Sequence, residues 1–506
     1  MESRSKKFFY NTLFTALLQV VNVVAALIVP RFMLDFYGSE INGLVTSITQ
    51  FINYFNLVEA GLSAAAIFAL YKPLSDRDDA RMSEIVSASR RFYMQAGWVF
   101  TALTVILSLL YPLYIQTPDI SYVETALLVL ALGAGGFLEF FTMAKYRVLL
   151  TADQKTYVIS IASILHVALQ TALIAALSML GASVLVARAS AIAALLLRSV
   201  ILLVYCRRRY PNIDYGAKPD MGALDKRWDA MFLQVLGAIH QGATVILLTL
   251  IVRDLAVVSV FSVFNIVVMG LNSVLGIFNS GLAASFGEVI VRGEKDVLRR
   301  AYREFEGGFY MIITFVFAVS FVMIMPFVDL YTANIHDANY HQPLVGFLVI
   351  LNTYLYHLKT PQGMLVISAG MYRETRWRTL TQGLIAVVGG AILAVPFGLV
   401  GILVAAAASN LYRDFDLWFF SACRITDTPA RDTLLAVARS VLSVLIILLP
   451  FRFVTVAPTS WLSWIGWACL ASLWSVTVVL VLALAFDRKT FFGILDRAKS
   501  ILGRRA

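Results

Sequence analysis

Ten ionisable side chains fall in or beside strongly apolar stretches: Glu59, Glu139, Lys145, Arg147, His166, Arg188, Arg198, His240, His357 and Lys359. A lysine or arginine at the centre of a bilayer costs roughly 3 kcal/mol on insertion scales, so each needs a counter-charge or a water-filled cavity. Cations outnumber acids in this set, which suits an anionic ligand better than a cationic one. Arg31, Lys145, Arg147, Lys359 and His240 are the candidates for such an anion path. Glu59 and Glu139 are the carboxylates that could take up a proton or sodium ion for coupling. Snorkelling to an interface is the competing role for Lys145 and Arg147, and for Arg188 and Arg198 on the sixth apolar stretch. His166 reads as a core histidine.

Uncharged polar residues form stripes at helical spacing. Asn42, Thr46, Thr49, Asn53, Asn56 and Ser63 line one face of the second stretch, and Ser262, Asn265, Asn272 and Asn279 line the eighth. Asn11, Thr15, Gln19 and Asn22 mark the first, and Gln234, Gln241 and Thr244 the seventh. Amides facing lipid would be unsatisfied, so these faces must meet protein or water. Taken singly they read as hydrogen-bonding glue between helices. As a matched set on four helices they read as the wall of a hydrated cavity that can bind hydroxyls, with Asn53, Asn56, Gln241, Asn272 and Asn279 as substrate-path candidates.

The elements that carry these residues are membrane helices. The 506-residue chain is 59% hydrophobic and 14% charged, with a mean hydropathy of +0.79, far from the composition of a soluble enzyme. Fourteen stretches can each cross a ~30 Å hydrocarbon core: 9–30, 41–65, 93–115, 123–149, 157–180, 183–205, 229–251, 257–285, 308–329, 344–368, 379–396, 399–420, 433–453 and 462–486. Of 41 Lys and Arg residues, 34 lie at the N-terminus and in every second loop or the span ends beside it, three (Arg31, Arg253 and Arg452) lie in or beside the alternate loops, and four (Arg188, Arg198, Lys359 and Arg439) lie within spans. The positive-inside rule then predicts cytoplasmic N- and C-termini. The net charge of +10 is mostly this topology signal, so nucleic acid is not an expected partner, whereas anionic lipid head groups are. MESRSKK leads into a long span without a small-residue cleavage site, so no removable signal peptide is expected. Three cysteines at or inside spans make neither a disulfide framework nor a metal site.

The spans fall into an internal repeat. Phe92-Tyr93-Met94 recurs as Phe309-Tyr310-Met311, Leu113-Tyr114 as Leu330-Tyr331, Ala152 as Ala369, Gly181 as Gly398, and Cys206-Arg207 as Cys423-Arg424. Every offset is 217, while Gly61-Leu62 recurs as Gly281-Leu282 at 220. Six helices make one unit, and an even number makes the repeats parallel. The expected organisation is an all-α polytopic membrane protein with lobes 1–215 and 216–425, two further helices in 426–486, and an amphipathic cytoplasmic tail, 487–506. Parallel repeats place a binding site between their halves.

The strings Val29-Pro30-Arg31-Phe32, Tyr37-Gly38-Ser39-Glu40-Ile41-Asn42-Gly43-Leu44, Glu59-Ala60-Gly61-Leu62 and Tyr71-Lys72-Pro73-Leu74 resemble those of bacterial polysaccharide and O-antigen flippases. That family belongs to the multidrug/oligosaccharidyl-lipid/polysaccharide exporter (MOP) superfamily. The resemblance implies two six-helix lobes plus two helices in the bacterial inner membrane. It also implies alternating access of a central cavity lined by helices one, two, seven and eight. The implied cargo is an oligosaccharide on undecaprenyl diphosphate, with polysaccharide polymerase or assembly proteins as further partners. No enzymatic step and no cofactor are expected; proton or sodium coupling is open. The first helix carries no Lys or Arg between Lys7 and Arg31, a departure from the lipid II flippase branch. The rival reading is a cation-coupled drug antiporter of the multidrug and toxin extrusion (MATE) type.

Overall fold

With no water in hydrocarbon, the backbone must satisfy its own hydrogen bonds, and a helix does so within one segment. The structure, a computed structural model, describes residues 4–224, 242–279, 282–488, 491–493 and 496, and every regular element among them is helical. Ten helical runs are long and apolar enough to cross a membrane. Two exceed one crossing: Lys7–Asp76 has 70 residues and Arg373–Thr426 has 54, roughly 100 and 80 Å at 1.5 Å per residue. Glycines with positive φ interrupt both. Gly38 (φ 82°) falls between the expected spans 9–30 and 41–65, and Gly398 (φ 54°) between 379–396 and 399–420. L-residues rarely adopt that conformation, so the chain turns at these two positions.

Two compact units, Met1–Ser259 and Val260–Ala506, account for the chain. The first contains α1 (Arg4–Phe55), α2 (Leu62–Asp76), α3 (Asp79–Tyr114), α4 (Tyr122–Leu138), α5 (Ala144–Ala152), α6 (Thr156–Met179), α7 (Val184–Ala189), α8 (Ala191–Arg209) and α9 (Gly242–Val252). The helix α10 (Leu255–Asn279) begins in it. Helix starts follow side-chain caps: Asp78 accepts from the Arg81 amide at 2.9 Å, and Ser121 forms a reciprocal capping box with Glu124, satisfying orphan amides. Leu44, Ile48, Leu70, Tyr93 and Leu128 form its core. Gly43 is a close-approach point, because a Cβ there would lie 1.8 Å from the Leu255 carbonyl oxygen.

After α8 the chain runs back as a strap along the first turns of α3. Asn212 donates to Asp79, Ser83 accepts from the Asp214 amide, Ser87 donates to the Ala217 carbonyl, and Arg90 donates to the Tyr215 carbonyl. At the same end, Asp153 accepts from Lys7 at 2.9 Å and Tyr210 at 2.5 Å and pairs with Lys155 at 2.7 Å.

The second unit holds α11 (Leu282–Val291), α12 (Lys295–Tyr331), α13 (Pro343–Leu358), α14 (Thr360–Ser368), α15 (Tyr372–Leu384), α16 (Gly390–Ser421), α17 (Ala430–Leu448) and α18 (Trp461–Phe486). Two residue pairs at the 217 offset share local features. Gly181 (φ 74°) and its mate Gly398 (φ 54°) are both left-handed. Tyr93 and its mate Tyr310 are both buried, donating or accepting through their hydroxyls at Ser63 (3.0 Å) and the Leu358 carbonyl (3.0 Å).

Candidate functional site: charge clusters at two broken helices

The fourth span of the first unit is interrupted by a π-helical turn, Glu139–Met143, between α4 and α5. Such an extra residue re-aims the side chains of the turn and is frequent at functional sites. Glu139 opens that turn and faces two arginines. Arg147 Nη1 is 3.2 Å from one Glu139 oxygen, and Arg198 Nη1 of α8 is 3.5 Å from the other. The second amino group of Arg147 donates to both oxygens of Glu59, each at 3.1 Å. Glu59 ends a short 3-10 turn, Asn56–Glu59, which leads into Gly61 (φ 80°). Two arginines and two glutamates thus form one formally neutral chain across three spans. The Arg147 side chain remains 28% exposed within it.

Lys145 goes elsewhere. Residues two apart on a helix lie on nearly opposite faces, and Lys145 Nζ packs over the rings of Tyr146 (5.0 Å) and Tyr215 (5.9 Å) instead. Arg31 stands at the end of the first span, paired with Asp35 at 2.8 Å.

In the second unit the equivalent helix is also broken. Pro361 has no amide to offer the His357 carbonyl, and the expected single span 344–368 becomes α13 and α14 with Lys359 between them. Under the 217 offset Lys359 corresponds to Thr142, inside the π-turn. Lys359 Nζ donates to Asn410 Oδ1 at 2.9 Å and lies 3.6 Å from Asp414 Oδ1, with the Tyr356 ring at 5.0 Å. Asp414 is fully buried. Asn410 also receives a 3.4 Å bond from Gln382. The neighbouring His357 shares a 2.9 Å hydrogen bond between Nε2 and Asn272 Oδ1, and its ring packs on Phe309 and Phe317.

A second buried carboxylate, Glu306 of α12, was not marked by the sequence pattern because it directly follows the basic run 292–303. One of its oxygens accepts from Tyr302 (2.9 Å), Gln362 (2.7 Å) and Thr433 (3.0 Å). Among the described residues no cation lies within ion-pair distance of it. Its direct hydrogen-bond partners are therefore uncharged donors. Asp414 was missed as well; the signal for it was Arg413-Asp414-Phe415-Asp416 at the end of the apolar run 399–420, where acids as well as bases interrupt the hydrophobic pattern.

The amide stripes divide by depth. Asn42 is buried and donates to Ser259 at 2.8 Å, while Asn11 bonds the Gln154 carbonyl and the Tyr157 amide and Thr15 contacts Ser160 at 3.5 Å. Those are helix–helix bonds. Thr49, Asn53 and Gln19 are exposed, and Asn56 is half-buried. Asn272 is exposed apart from its bond to His357. Gln234, His240 and Gln241 lie outside the described residues, as does the side chain of Asn279.

No protein-family model and no curated protein matches the chain by sequence. Solved structures do match in fold. The inward-facing structure of a multidrug resistance MATE family transporter of the MOP superfamily aligns with a TM-score of 0.64 at 17% identity, covering 80% of this chain and 95% of that one. The lipid II flippase MurJ in an inward closed conformation aligns at 0.64 and 14% identity, covering 95% of this chain and 100% of that one. A MOP superfamily transporter from Pyrococcus furiosus aligns at 0.60 and 17% identity over 83% of this chain and 96% of that one. The likeness is one of fold: this is an all-helical, multi-pass membrane protein built on the same plan as the MATE and lipid II flippase structures.

Proposed function

We propose that the chain moves an oligosaccharide carried on undecaprenyl diphosphate across the bacterial inner membrane by alternating access of a hydrated, cationic cavity, with no enzymatic step. The observation that carries this reading is the extent of the fold match. Residues from Ala430 onward make up more than 5% of the chain, so an alignment covering 95% of it must include part of the last two helices, α17 and α18. The MATE alignment covers a smaller share of the chain, 80%. Arg147, partly exposed and held between Glu59 and Glu139, is a charged donor that could exchange a carboxylate for a phosphate oxygen. Exposed amides such as Asn53 can bond sugar hydroxyls with little selectivity. Deleting the gene should leave the lipid-linked oligosaccharide on the cytoplasmic leaflet and remove surface polymer, with drug tolerance unchanged.

The MATE-type antiporter is the second reading, favoured by the equal TM-score of 0.64. Normal surface polysaccharide together with increased sensitivity to cationic dyes in the deletion strain would promote it over the flippase.

A further inference from the structure

The strap between α8 and α9 leaves a cleft against α3 of about 390 Å³, lined by Arg90, Arg91, Met94, Trp98, Tyr215 and Pro219. Its position along α3 is set by the sequence. Arg90 and Arg91 directly precede the apolar run 93–115, so they stand where that helix enters the membrane. Trp98 lies seven to eight residues on, two turns deeper on the same face, and is 63% exposed with its ring edge against Phe141 at 5.3 Å. A basic pair at a span's start with an exposed tryptophan below it is the arrangement that lodges at the head-group level.

The charges of this cleft are uncompensated. Three cations at this end of the unit have acids: Lys7 and Lys155 share Asp153, and Arg81 takes Glu84 and Asp220. Arg90 donates to a carbonyl, and Lys145 sits over the ring of Tyr215, which itself lines the cleft. Among the described residues neither these two nor Arg91 nor Arg207 pairs with a carboxylate. The Tyr215 hydroxyl is buried with no hydrogen-bond partner among the described residues. Two arginines lining a concave, membrane-level surface, with Lys145 over the Tyr215 ring that forms part of its wall, are arranged for a phosphate whose own attachment is apolar.

We infer that the cleft between α3 and the strap is a binding site for the head group of an anionic membrane phospholipid, distinct from the Arg147 cluster. Arg91 and Arg90 hold the phosphate, and Trp98 packs beside the glycerol and upper acyl chain. Lys145, read from the sequence as part of the substrate path, belongs to the surroundings of this site.

The test is native mass spectrometry of the full chain released from detergent with either dioleoylphosphatidylglycerol or dioleoylphosphatidylcholine. Phosphatidylglycerol should remain bound and phosphatidylcholine should not. Arg91→Gln should weaken the phosphatidylglycerol adduct roughly tenfold, the size expected for one charge-assisted phosphate contact. Arg292→Gln, which removes an exposed arginine elsewhere, should change nothing. Arg90→Gln could loosen the strap; Arg91 makes no strap bond, so its variant carries the test with the fold intact. Equal retention of the two lipids, or an unaltered adduct in Arg91→Gln, overturns the site. Displacement of the lipid by millimolar inorganic phosphate makes it a plain anion site, and displacement by sub-stoichiometric undecaprenyl diphosphate makes it a loading station for cargo; either outcome overturns the phospholipid assignment.

Discussion

Glu139 and Lys359, of opposite charge, stand at interruptions of two helices related by the 217-residue offset, α4–α5 and α13–α14, and each is met by an opposite charge from a later helix, α8 or α16. Glu139 faces Arg198 at 3.5 Å, and Lys359 faces Asp414 at 3.6 Å. Under the 217 offset Arg198 maps to Phe415, next to Asp414. At the 217-residue offset the pattern is thus an ionic tie between corresponding helices, with acid and base exchanged between them. A helix break leaves backbone groups that need polar company, and the charges sit where those breaks occur. What differs is access: Arg147 and Glu59 extend the first tie toward open space, whereas Lys359 and Asp414 are closed in.

The closed pair should behave as a structural tie. Losing one partner of a buried ion pair leaves an uncompensated charge and costs about 3–5 kcal/mol, while removing both can be nearly neutral. Lys359→Met and Asp414→Leu should each lower the thermal unfolding temperature of the detergent-purified protein, and the double variant should recover most of the loss. Additive losses in the double variant would show that the two side chains are not coupled.

The open cluster should couple in transport as well as stability. Arg147→Gln and Glu59→Gln are expected to show an interaction free energy of about 0.5–3 kcal/mol in a double-mutant cycle, as for directly contacting residues. If Arg147 also holds the anionic head, Arg147→Gln abolishes complementation of a deletion strain even when Glu59→Gln restores its stability. Full complementation by Arg147→Gln removes the cluster from the substrate path.

Much of this arrangement was legible in the residues. The repeat offset brought Gly181 and Gly398 into register, and both proved left-handed. Arg147, Glu59 and Glu139 were each singled out, but as rivals, because a sequence carries no distance between the second and fourth spans; the structure makes them one network. Asp414 and Glu306 were lost for a different reason. Each lies where an apolar run meets a charged one, and hydropathy alone cannot tell a carboxylate still inside the helix bundle from one already in a loop.

Gly43 is a packing requirement that hydropathy could not reveal. The Cβ of Gly43→Ala would lie 1.8 Å from the Leu255 carbonyl oxygen, a backbone atom that cannot swing aside. The expected cost is roughly 1–3 kcal/mol, the range for overpacking a close contact. Gly270→Ala, with nothing within 4 Å of its added carbon, is the matched control. Equal melting temperatures for the two variants would contradict the close approach.

The loop charges predict both termini on the cytoplasmic face and the segment 332–343, which has no Lys or Arg, on the other. Reporter fusions after Ala338 and at Ala506 should give opposite locations. Finding both on one side requires an odd helix fewer or more between them and ends the fourteen-span arrangement.

Asp153 supplies a pH signature outside the spans. Burial raises its carboxyl, but hydrogen bonds from Lys155, Tyr210 and Lys7 outweigh that and hold it below the ordinary 3.8. A carboxylate depressed in the folded state adds stability that is fully present above its unfolded value and is lost as pH falls through its folded value. The melting-temperature gap between wild type and Asp153→Asn should therefore be constant from neutral pH to about pH 5. It should then shrink as the pH drops below 3.8, because protonation does to the wild type what the substitution does to the variant. Lys7 links the N-terminal helix to this aspartate, so Lys7→Met should reproduce part of the loss at neutral pH and flatten the acid limb. A gap that is unchanged below pH 3.8 would mean that the three donors hold the side chain through geometry and not through its charge.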